Sequence, residues 1–185
     1  GAGFIGPEVA ENLRHRGLEV TVVELAPQVL PTVDKEMSVP LAAELAELGI
    51  TLELGHKVVA FRRDGALFAK LEDGRELEAD FAVMSVGVRP NSELAKAAGL
   101  ELGPRGHIVT DEFLCTSDPA IYAAGDVVEV ADPVTGGRTA IPLAGPANKQ
   151  GRIAADNLAG RSSRYPGSFG AAILKIGSLA AGSVG

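Results

Sequence analysis

The chain has 185 residues, of which 46% are hydrophobic and 22% charged, and its 17 basic and 24 acidic side chains give a formal net charge of −7. This composition is typical of a globular protein and differs from that of disordered, collagen-like or disulfide-rich chains. Because an acidic chain without a basic stripe repels phosphate backbones, we expect no nucleic-acid partner. The one cysteine, Cys115, excludes an internal disulfide and a CxxC metal site, which favours a reducing, cytoplasmic compartment.

A glycine-rich turn opens the chain. Residues 1–6 read Gly-Ala-Gly-Phe-Ile-Gly, and Ile5, Val9 and Leu13 then recur at helical spacing. In a dinucleotide-binding turn the three glycines allow a tight turn, close approach of a pyrophosphate and close packing of the helix, whose positive end meets the phosphates. The pattern predicts such a turn and a helix that ends near Gly17. A glycine-rich turn that binds no nucleotide is the alternative.

An acidic residue follows the turn at the spacing found in dinucleotide-binding units. Residues 19–24 form a predicted buried strand that ends at Glu24, 18 residues beyond Gly6. An acid about 20 residues after the glycines accepts hydrogen bonds from the ribose hydroxyls of NAD. No basic residue follows until Lys35, so a 2′-phosphate would meet an uncompensated carboxylate, and we expect NAD(H) rather than NADP(H).

The strand that normally precedes such a turn is not part of this sequence. A dinucleotide-binding unit has a hydrophobic first strand directly before the glycines. Here the sequence starts at Gly1 rather than at a methionine. We therefore expect the chain to be a piece of a longer polypeptide.

The next segment is predicted to be helical. Leucines recur at helical spacing over residues 41–48 and predict a helix there. Asp34 is its candidate N-cap, and Gly49 would end it. Pro40 either kinks this helix or opens its main part, with Ser38 as the cap.

Short strands dominate the centre of the chain. They are predicted at residues 50–54, 58–61, 66–71 and 76–78, with Asp-Gly turns at 64–65 and 73–74. Residues 82–87 predict a buried strand that returns to the parallel sheet. The expected fold class is α/β: a Rossmann-like parallel sheet with an inserted antiparallel β-meander, and part of a second α/β domain.

Two later segments place a glycine at the end of a predicted strand. Gly87 ends the strand predicted at residues 82–87 and opens the run 87–91. A glycine there lets a ligand approach the backbone, although an ordinary strand-to-loop turn is the alternative. Residues 116–126 combine a threonine, a short apolar strand and the pair Gly125-Asp126. Asp126 could accept hydrogen bonds from a polyol or simply cap the next segment.

Taken together, these motifs resemble the FAD-dependent pyridine nucleotide-disulfide oxidoreductases. Residues 116–126 resemble that family's second flavin motif, residues 1–6 with Glu24 its NAD fingerprint, and residues 87–91 the motif between them. Residues 142–152 further resemble the branch that includes CoA-disulfide reductases, NADH oxidases and NADH peroxidases.

The resemblance implies two cofactors, NAD(H) and FAD, and a role for each matching residue. It implies that the NADH site is formed by Gly1, Gly3, Phe4, Ile5, Gly6, Glu8, Glu24 and Gly87. Glu8 would contact the nicotinamide amide or would only complement the helix dipole. For FAD, the resemblance implies Asp126 at the ribityl chain, beside Gly125, which admits a ligand to the backbone, and backbone contacts from Leu143 and Ala144 near the pyrimidine. A helix amino terminus there would stabilise negative charge on reduced flavin.

Other residues depart from the family pattern or carry no expected role. The redox cysteine of this branch lies in an amino-terminal segment that this sequence lacks, and Cys115 does not take its place. We therefore expect no catalytic residue and no metal site, and only packing or solvated roles for His15, His56 and His107. The tail, residues 170–178, resembles the first strand of the dimerisation domain in diverged form, which would leave an edge and an apolar face exposed.

The expected domains are an NAD(H)-binding domain (1–90), the returning part of an FAD-binding domain (91–160) and the start of a dimerisation domain (161–185). The resemblance implies a homodimeric parent enzyme that acts on a small-molecule substrate. Hydride would pass from NADH to FAD and on to a disulfide, persulfide or oxygen species. The alternatives are an NAD(H)-binding module without catalysis, a reductase of an electron-transfer protein, or a non-functional remnant. Glycines and Pro166 interrupt the weakly charged stretch 165–185, so no membrane partner is expected.

Overall fold

A computed structural model describes residues 1–184 and divides them into two compact units. The first unit contains Gly1–Gly87 and Ala172–Ser183, and the second contains Val88–Ala171. The expected division into three functional domains remains a prediction.

The glycine-rich turn leads into a helix and a strand, as predicted. Helix α1 spans Ile5–His15, Gly17 follows it with φ +83°, and strand β1 spans Val20–Glu24. A positive φ at Gly17 lets the chain leave the helix in a conformation that side chains with a Cβ disfavour.

The second helix is continuous through its proline. Helix α2 spans Lys35–Glu47, with Asp34 at the N-cap position and Pro40 inside. Ser38 lies in the first turn, where it is buried and donates its hydroxyl to the Val29 carbonyl at 2.5 Å. The alternative in which Ser38 caps a helix that opens at Pro40 is therefore wrong.

Two sheets follow from the central strands. Strand β2 (Ile50–Leu54) pairs in parallel with β1, with Val20 opposite Ile50 and Glu24 opposite Leu54. The remaining strands form an antiparallel meander: β3 (Val58–Asp64), β4 (Ala66–Leu71) and β5 (Glu76–Ala79). The inserted meander is thereby confirmed, with turns at both Asp-Gly pairs.

The prediction of a strand at residues 82–87 is wrong, because the structure has no strand there. Residues 81–85 have no assigned regular structure, and Val83, Met84 and Val86 are exposed, Val86 to 73%. A sheet strand needs a backbone partner on at least one side. An open groove of about 1150 Å³ lies between this segment and β1, so the two backbones do not pair.

The second unit has its own small core. Its elements are α3 (Glu93–Ala97), β6 (Ile108–Val109), β7 (Val128–Ala131), β8 (Arg138–Thr139) and α4 (Ala144–Leu158). Strand β7 pairs in parallel with β6 and antiparallel with β8. Leu114, Val128, Val130, Ala154 and Tyr165 form the core of this unit. The short apolar strand predicted before Gly125 is reduced to one bridge between Cys115 and Tyr122.

The tail forms a hairpin rather than a single strand. Strands β9 (Ala172–Ile176) and β10 (Leu179–Ser183) pair antiparallel. Leu174 and Ile176 are buried in the core of the first unit beside Ala10 of α1 and Leu45 of α2. The expectation of a lone strand with an exposed apolar face is therefore wrong for these two side chains.

Carboxylates from two helices hold the turn of this hairpin. Glu11 of α1 accepts the Gly177 amide N–H at 2.9 Å, and Glu44 of α2 accepts the Ser178 amide N–H at 2.6 Å. Hydrogen bonds from backbone amides to ionised groups are stronger than neutral ones, so these contacts add to the apolar packing.

Replacement of Leu174 by alanine is expected to destabilise the first unit. The side chain is 1% exposed, and its loss leaves a cavity in the core that costs about 2–5 kcal/mol. Ile173→Ala in the same strand is the matched control, because Ile173 is 75% exposed and its loss should change the free energy by about 0.5 kcal/mol or less. Urea unfolding followed by circular dichroism measures both variants. Equal losses of stability would contradict the hairpin packing.

Among the residues that the structure describes, no helix is long and apolar enough to cross a membrane.

Candidate functional site

The three glycines of the turn serve different physical purposes. A Cβ at Gly1 would overlap the carbonyl oxygen of Ser85, and a Cβ at Gly6 would overlap the carbonyl oxygen of Gly1. A Cβ at Gly3 would meet no heavy atom within 4 Å. Two glycines therefore permit close packing within the chain, whereas Gly3 leaves open space beside its backbone, where the sequence motif predicts the approach of a pyrophosphate.

Helix α1 begins two residues after Gly3 and has no side-chain cap. Phe4 occupies the N-cap position in a helical conformation, and its side chain makes no capping hydrogen bond. The first amides of a helix lack intrahelical acceptors and carry partial positive charge, which suits an anion. Ile5 is exposed, and Glu8 is exposed in the first turn. The role of Glu8 toward nicotinamide remains a prediction.

Glu24 lies at the end of β1 as predicted, and its carboxylate touches the glycine-rich turn. Its Oε2 accepts the Ala2 amide N–H at 2.6 Å, and its Oε1 accepts the Ala26 amide N–H at 2.8 Å. The acid is half-buried at the edge of the groove.

The groove beside β1 is lined by several residues of the predicted NAD(H) site that lie far apart in sequence. Gly1, Gly3, Gly6, Glu24 and Gly87 all line it. Gly87 has φ +90° and is exposed, and a Cβ there would meet nothing within 4 Å. This backbone conformation strongly favours glycine at the position. Five of the eight residues expected at NADH therefore line one groove, and their contact with NADH remains a prediction.

In the second unit, the Gly-Asp pair lies at the amino end of a helix. Gly125 has φ +89°, and a Cβ there would approach the Ala147 Cβ of α4 to 3.9 Å. Asp126 is exposed, so its carboxylate is free to accept hydrogen bonds from a ligand.

Leu143 and Ala144 lie where α4 begins. Leu143 is the N-cap residue with extended backbone, and it makes no side-chain capping bond. Its N–H donates to the Ile141 carbonyl at 2.8 Å, while its own carbonyl accepts the Ala147 N–H. The expected flavin contacts at these two residues remain predictions.

Gln150, which no sequence motif singles out, bonds to the Gly-Asp turn. Its side chain is 2% exposed, and its Oε1 accepts the Gly125 amide N–H at 2.7 Å. A signal was available, because Pro146, Gln150 and Ala154 recur at fourfold spacing and form the buried face of α4. A buried amide on an apolar helix face needs a hydrogen-bond partner, and here the partner is the turn.

Cys115 is poorly suited to act as a nucleophile. It is partly buried, and its Sγ lies 3.8 Å from the Asp118 carbonyl. Burial raises the pKa of the Cys115 thiol, and the carboxylates of Asp111 and Asp118 raise it further. A raised pKa lowers the thiolate fraction on which reactivity depends.

Two of the histidines have clear surroundings. His56 lies on the surface, 3.6 Å from Glu53 and 3.7 Å from Asp73. His107 has a buried Nδ1 without a hydrogen-bond partner, and burial lowers its pKa, helped by Arg105. Within residues 1–184, no three acidic, histidine or cysteine side chains are placed to hold a metal ion.

Known proteins share both the sequence and the fold of this chain. An NADH oxidase from Methanocaldococcus jannaschii is 41% identical over 189 residues, which cover 100% of this chain and 41% of the relative. An NAD-dependent persulfide reductase from A. fulgidus superimposes with a TM-score of 0.95 at 41% identity, over 100% of this chain and 35% of that one. A water-forming NADH oxidase from Lactobacillus brevis, bound to NADH, superimposes with a TM-score of 0.89 at 32% identity, over 95% of this chain and 39% of that one.

The chain spans about two fifths of the length of the curated relatives it matches. The family model described as pyridine nucleotide-disulphide oxidoreductase matches residues 1–151, which include the glycine-rich turn, Glu24, Gly87, the Gly125-Asp126 pair and the start of α4. This chain belongs to the pyridine nucleotide-disulphide oxidoreductase family.

Proposed function

We propose that this chain is the NADH-binding portion, with part of the flavin-binding portion, of a flavoprotein oxidoreductase. The parent enzyme passes hydride from NADH to FAD and then electrons to a disulfide, persulfide or oxygen species. Three features of the glycine-rich turn carry the proposal: a Cβ at Gly3 would meet no heavy atom within 4 Å, helix α1 begins at Ile5 without a side-chain cap, and the Glu24 carboxylate accepts the Ala2 amide. The relatives named as an NADH oxidase and an NAD-dependent persulfide reductase support it.

The residues of the first unit fit NADH. The backbone at Gly3 and the first amides of α1 would hold the pyrophosphate, because they offer unpaired donors at the positive end of the helix. Glu24 would accept the adenine ribose hydroxyls, and Gly87 would admit the nicotinamide half to the backbone. Phe4, Ile5 and Glu8 complete the proposed site on the turn and first helical turn.

The residues of the second unit fit one part of FAD. Asp126 would accept hydrogen bonds from the ribityl chain, and the amino end of α4 at Leu143 and Ala144 would face the pyrimidine side. When bound, FAD accepts hydride from NADH and passes the electrons on. The chain's own contribution is to bind and orient, since Cys115 carries a raised pKa and no catalytic residue is assigned within these residues.

The wider setting of the proposal follows the family resemblance. The parent enzyme is a cytoplasmic homodimer that acts on a small-molecule substrate, without nucleic-acid or membrane partners. Which disulfide, persulfide or oxygen species accepts the electrons depends on residues outside those of this chain.

A cofactor titration of the 185-residue chain tests the proposal. NADH fluorescence can be followed without interference from protein indole, because the sequence has no tryptophan. We expect weak binding of NADH, weaker binding of NADPH and no retained FAD, since the chain spans about two fifths of its relatives. Equal binding of NADH and NADPH would contradict the ribose assignment, and tight stoichiometric FAD with a flavin absorbance band would contradict the expectation of a partial flavin site. Absence of NADH binding under these conditions would contradict the dinucleotide-binding function proposed for the first unit.

A further inference from the structure

The carboxylate of Glu24 holds two separate loops of the first unit together. Its two oxygens accept the Ala2 and Ala26 amides at 2.6 Å and 2.8 Å. Ala2 lies between the first two glycines of the turn and is fully buried, so its N–H has no access to water. A buried amide that loses its acceptor is costly, and this one depends on a side chain 22 residues away.

Backbone hydrogen bonds extend this arrangement on both sides. The Ala2 carbonyl accepts the Leu30 N–H at 2.7 Å, and the Ala26 carbonyl accepts the Gly55 N–H at 2.9 Å. The glycine-rich turn is therefore connected through Glu24 to the loop after β1 and to the loop after β2. The Ala2 amide donates to this carboxylate, so the turn is bonded to Glu24 at its second residue.

We propose that Glu24 is a positioning residue for the phosphate-binding turn in addition to a ribose contact. This inference rests on the dinucleotide-binding function proposed above. An ionised carboxylate has about four acceptor directions on its two oxygens. Two are occupied by the Ala2 and Ala26 amides, and the other two remain for ribose hydroxyls. One side chain thus sets the geometry of the phosphate site and accepts hydrogen bonds from the adjoining ribose.

The two roles make different predictions for a nucleotide that lacks ribose hydroxyls. ADP and 2′,3′-dideoxy-ADP carry the same two phosphates, but only ADP can donate hydroxyls to Glu24. If Glu24 contacts ribose alone, its removal leaves the affinity for 2′,3′-dideoxy-ADP unchanged. If Glu24 also positions the turn, the affinity for both nucleotides falls.

Calorimetric titration of the 185-residue chain and of Glu24→Ala with both nucleotides separates the roles. We expect the wild-type chain to prefer ADP, and Glu24→Ala to lose this preference. We also expect Glu24→Ala to bind 2′,3′-dideoxy-ADP about tenfold more weakly than the wild type, the size expected for loss of a charge-assisted hydrogen bond. Unchanged affinity for 2′,3′-dideoxy-ADP overturns the positioning role.

Amide exchange provides a readout that needs no nucleotide. In chains labelled with ¹⁵N-alanine, we expect the Ala2 and Ala26 amides to exchange faster in Glu24→Ala, while the amide of Ala42, in helix α2 of the same unit, is unchanged. Glu24→Gln keeps one acceptor oxygen, so only one of the two amides should stay protected, even if the alanine variant folds poorly. Glu47→Ala, which removes an exposed acid of α2, is the control and should leave all three amides as in the wild type.

The two readouts distinguish the possible failures. Slow exchange of Ala2 in both Glu24 variants overturns the positioning role whatever the nucleotides do. Fast exchange of Ala2 in Glu24→Ala, with no binding of either nucleotide to the wild-type chain, supports the positioning role and contradicts the dinucleotide function.

Discussion

Gly6→Ala is expected to destabilise the first unit and to abolish measurable NADH binding. A Cβ at this position would overlap the carbonyl oxygen of Gly1, which is backbone and cannot rotate away. Either α1 or the glycine-rich turn must then move, at a cost of about 1–3 kcal/mol for overpacking. Urea unfolding and NADH fluorescence titration measure the two effects.

Gly3→Ala in the same turn is the matched control. A methyl group there would meet no heavy atom of the chain within 4 Å, so we expect stability to change by about 0.5 kcal/mol or less. The methyl would occupy the space proposed for pyrophosphate, so NADH affinity should fall by about tenfold, equivalent to about 1.4 kcal/mol. Wild-type affinity in Gly3→Ala would show that the phosphates bind elsewhere.

Arg138→Ala is expected to destabilise the second unit by about 3 kcal/mol, because it leaves a buried carboxylate without its partner. Glu129 is 6% exposed, and the Arg138 Nε donates to its Oε1 at 2.9 Å. The same guanidinium donates to the carbonyls of Thr110 at 2.7 Å and Glu129 at 2.5 Å. It thereby connects β7 and β8 to the segment after β6. Urea unfolding measures the loss.

Two comparisons make this second prediction specific. Arg161→Ala removes a surface pair with Asp156, in which the arginine side chain is 73% exposed, and should cost about 1 kcal/mol or less. The double variant Arg138→Met with Glu129→Gln should be more stable than Arg138→Ala, because no unpaired buried charge remains. A double variant less stable than Arg138→Ala would show that packing, rather than the uncompensated charge, dominates.

Much of the candidate NAD(H) site could be predicted from sequence because it is local. The turn, helix α1 and strand β1 lie within 24 consecutive residues, and their spacing places an acid beside the glycines. The meander was equally predictable, since Asp-Gly turns determine where neighbouring antiparallel strands reverse. Hydrophobic periodicity and turn-forming residues act over a few positions, so both can be recognised directly in a sequence.

Structure that depends on distant partners cannot be predicted from local sequence. Residues 82–87 have the apolar composition of a buried strand, but a strand forms only when another backbone supplies its hydrogen bonds. Within the described residues no strand pairs with this segment, and an open groove separates it from β1. The tail illustrates the converse, because the burial of Leu174 and Ile176 depends on two helices more than a hundred residues earlier.

The sequence by itself determined the family, the glycine-rich turn and the acid that follows it, because these are patterns of residue type at short spacing. Only the tertiary structure decided what the key side chains touch. It placed Glu24 on the Ala2 amide and Gln150 on the Gly125 amide, contacts that join residues 22 and 25 positions apart. Such contacts follow from how the elements pack, and packing depends on the shape of the whole core rather than on any local pattern.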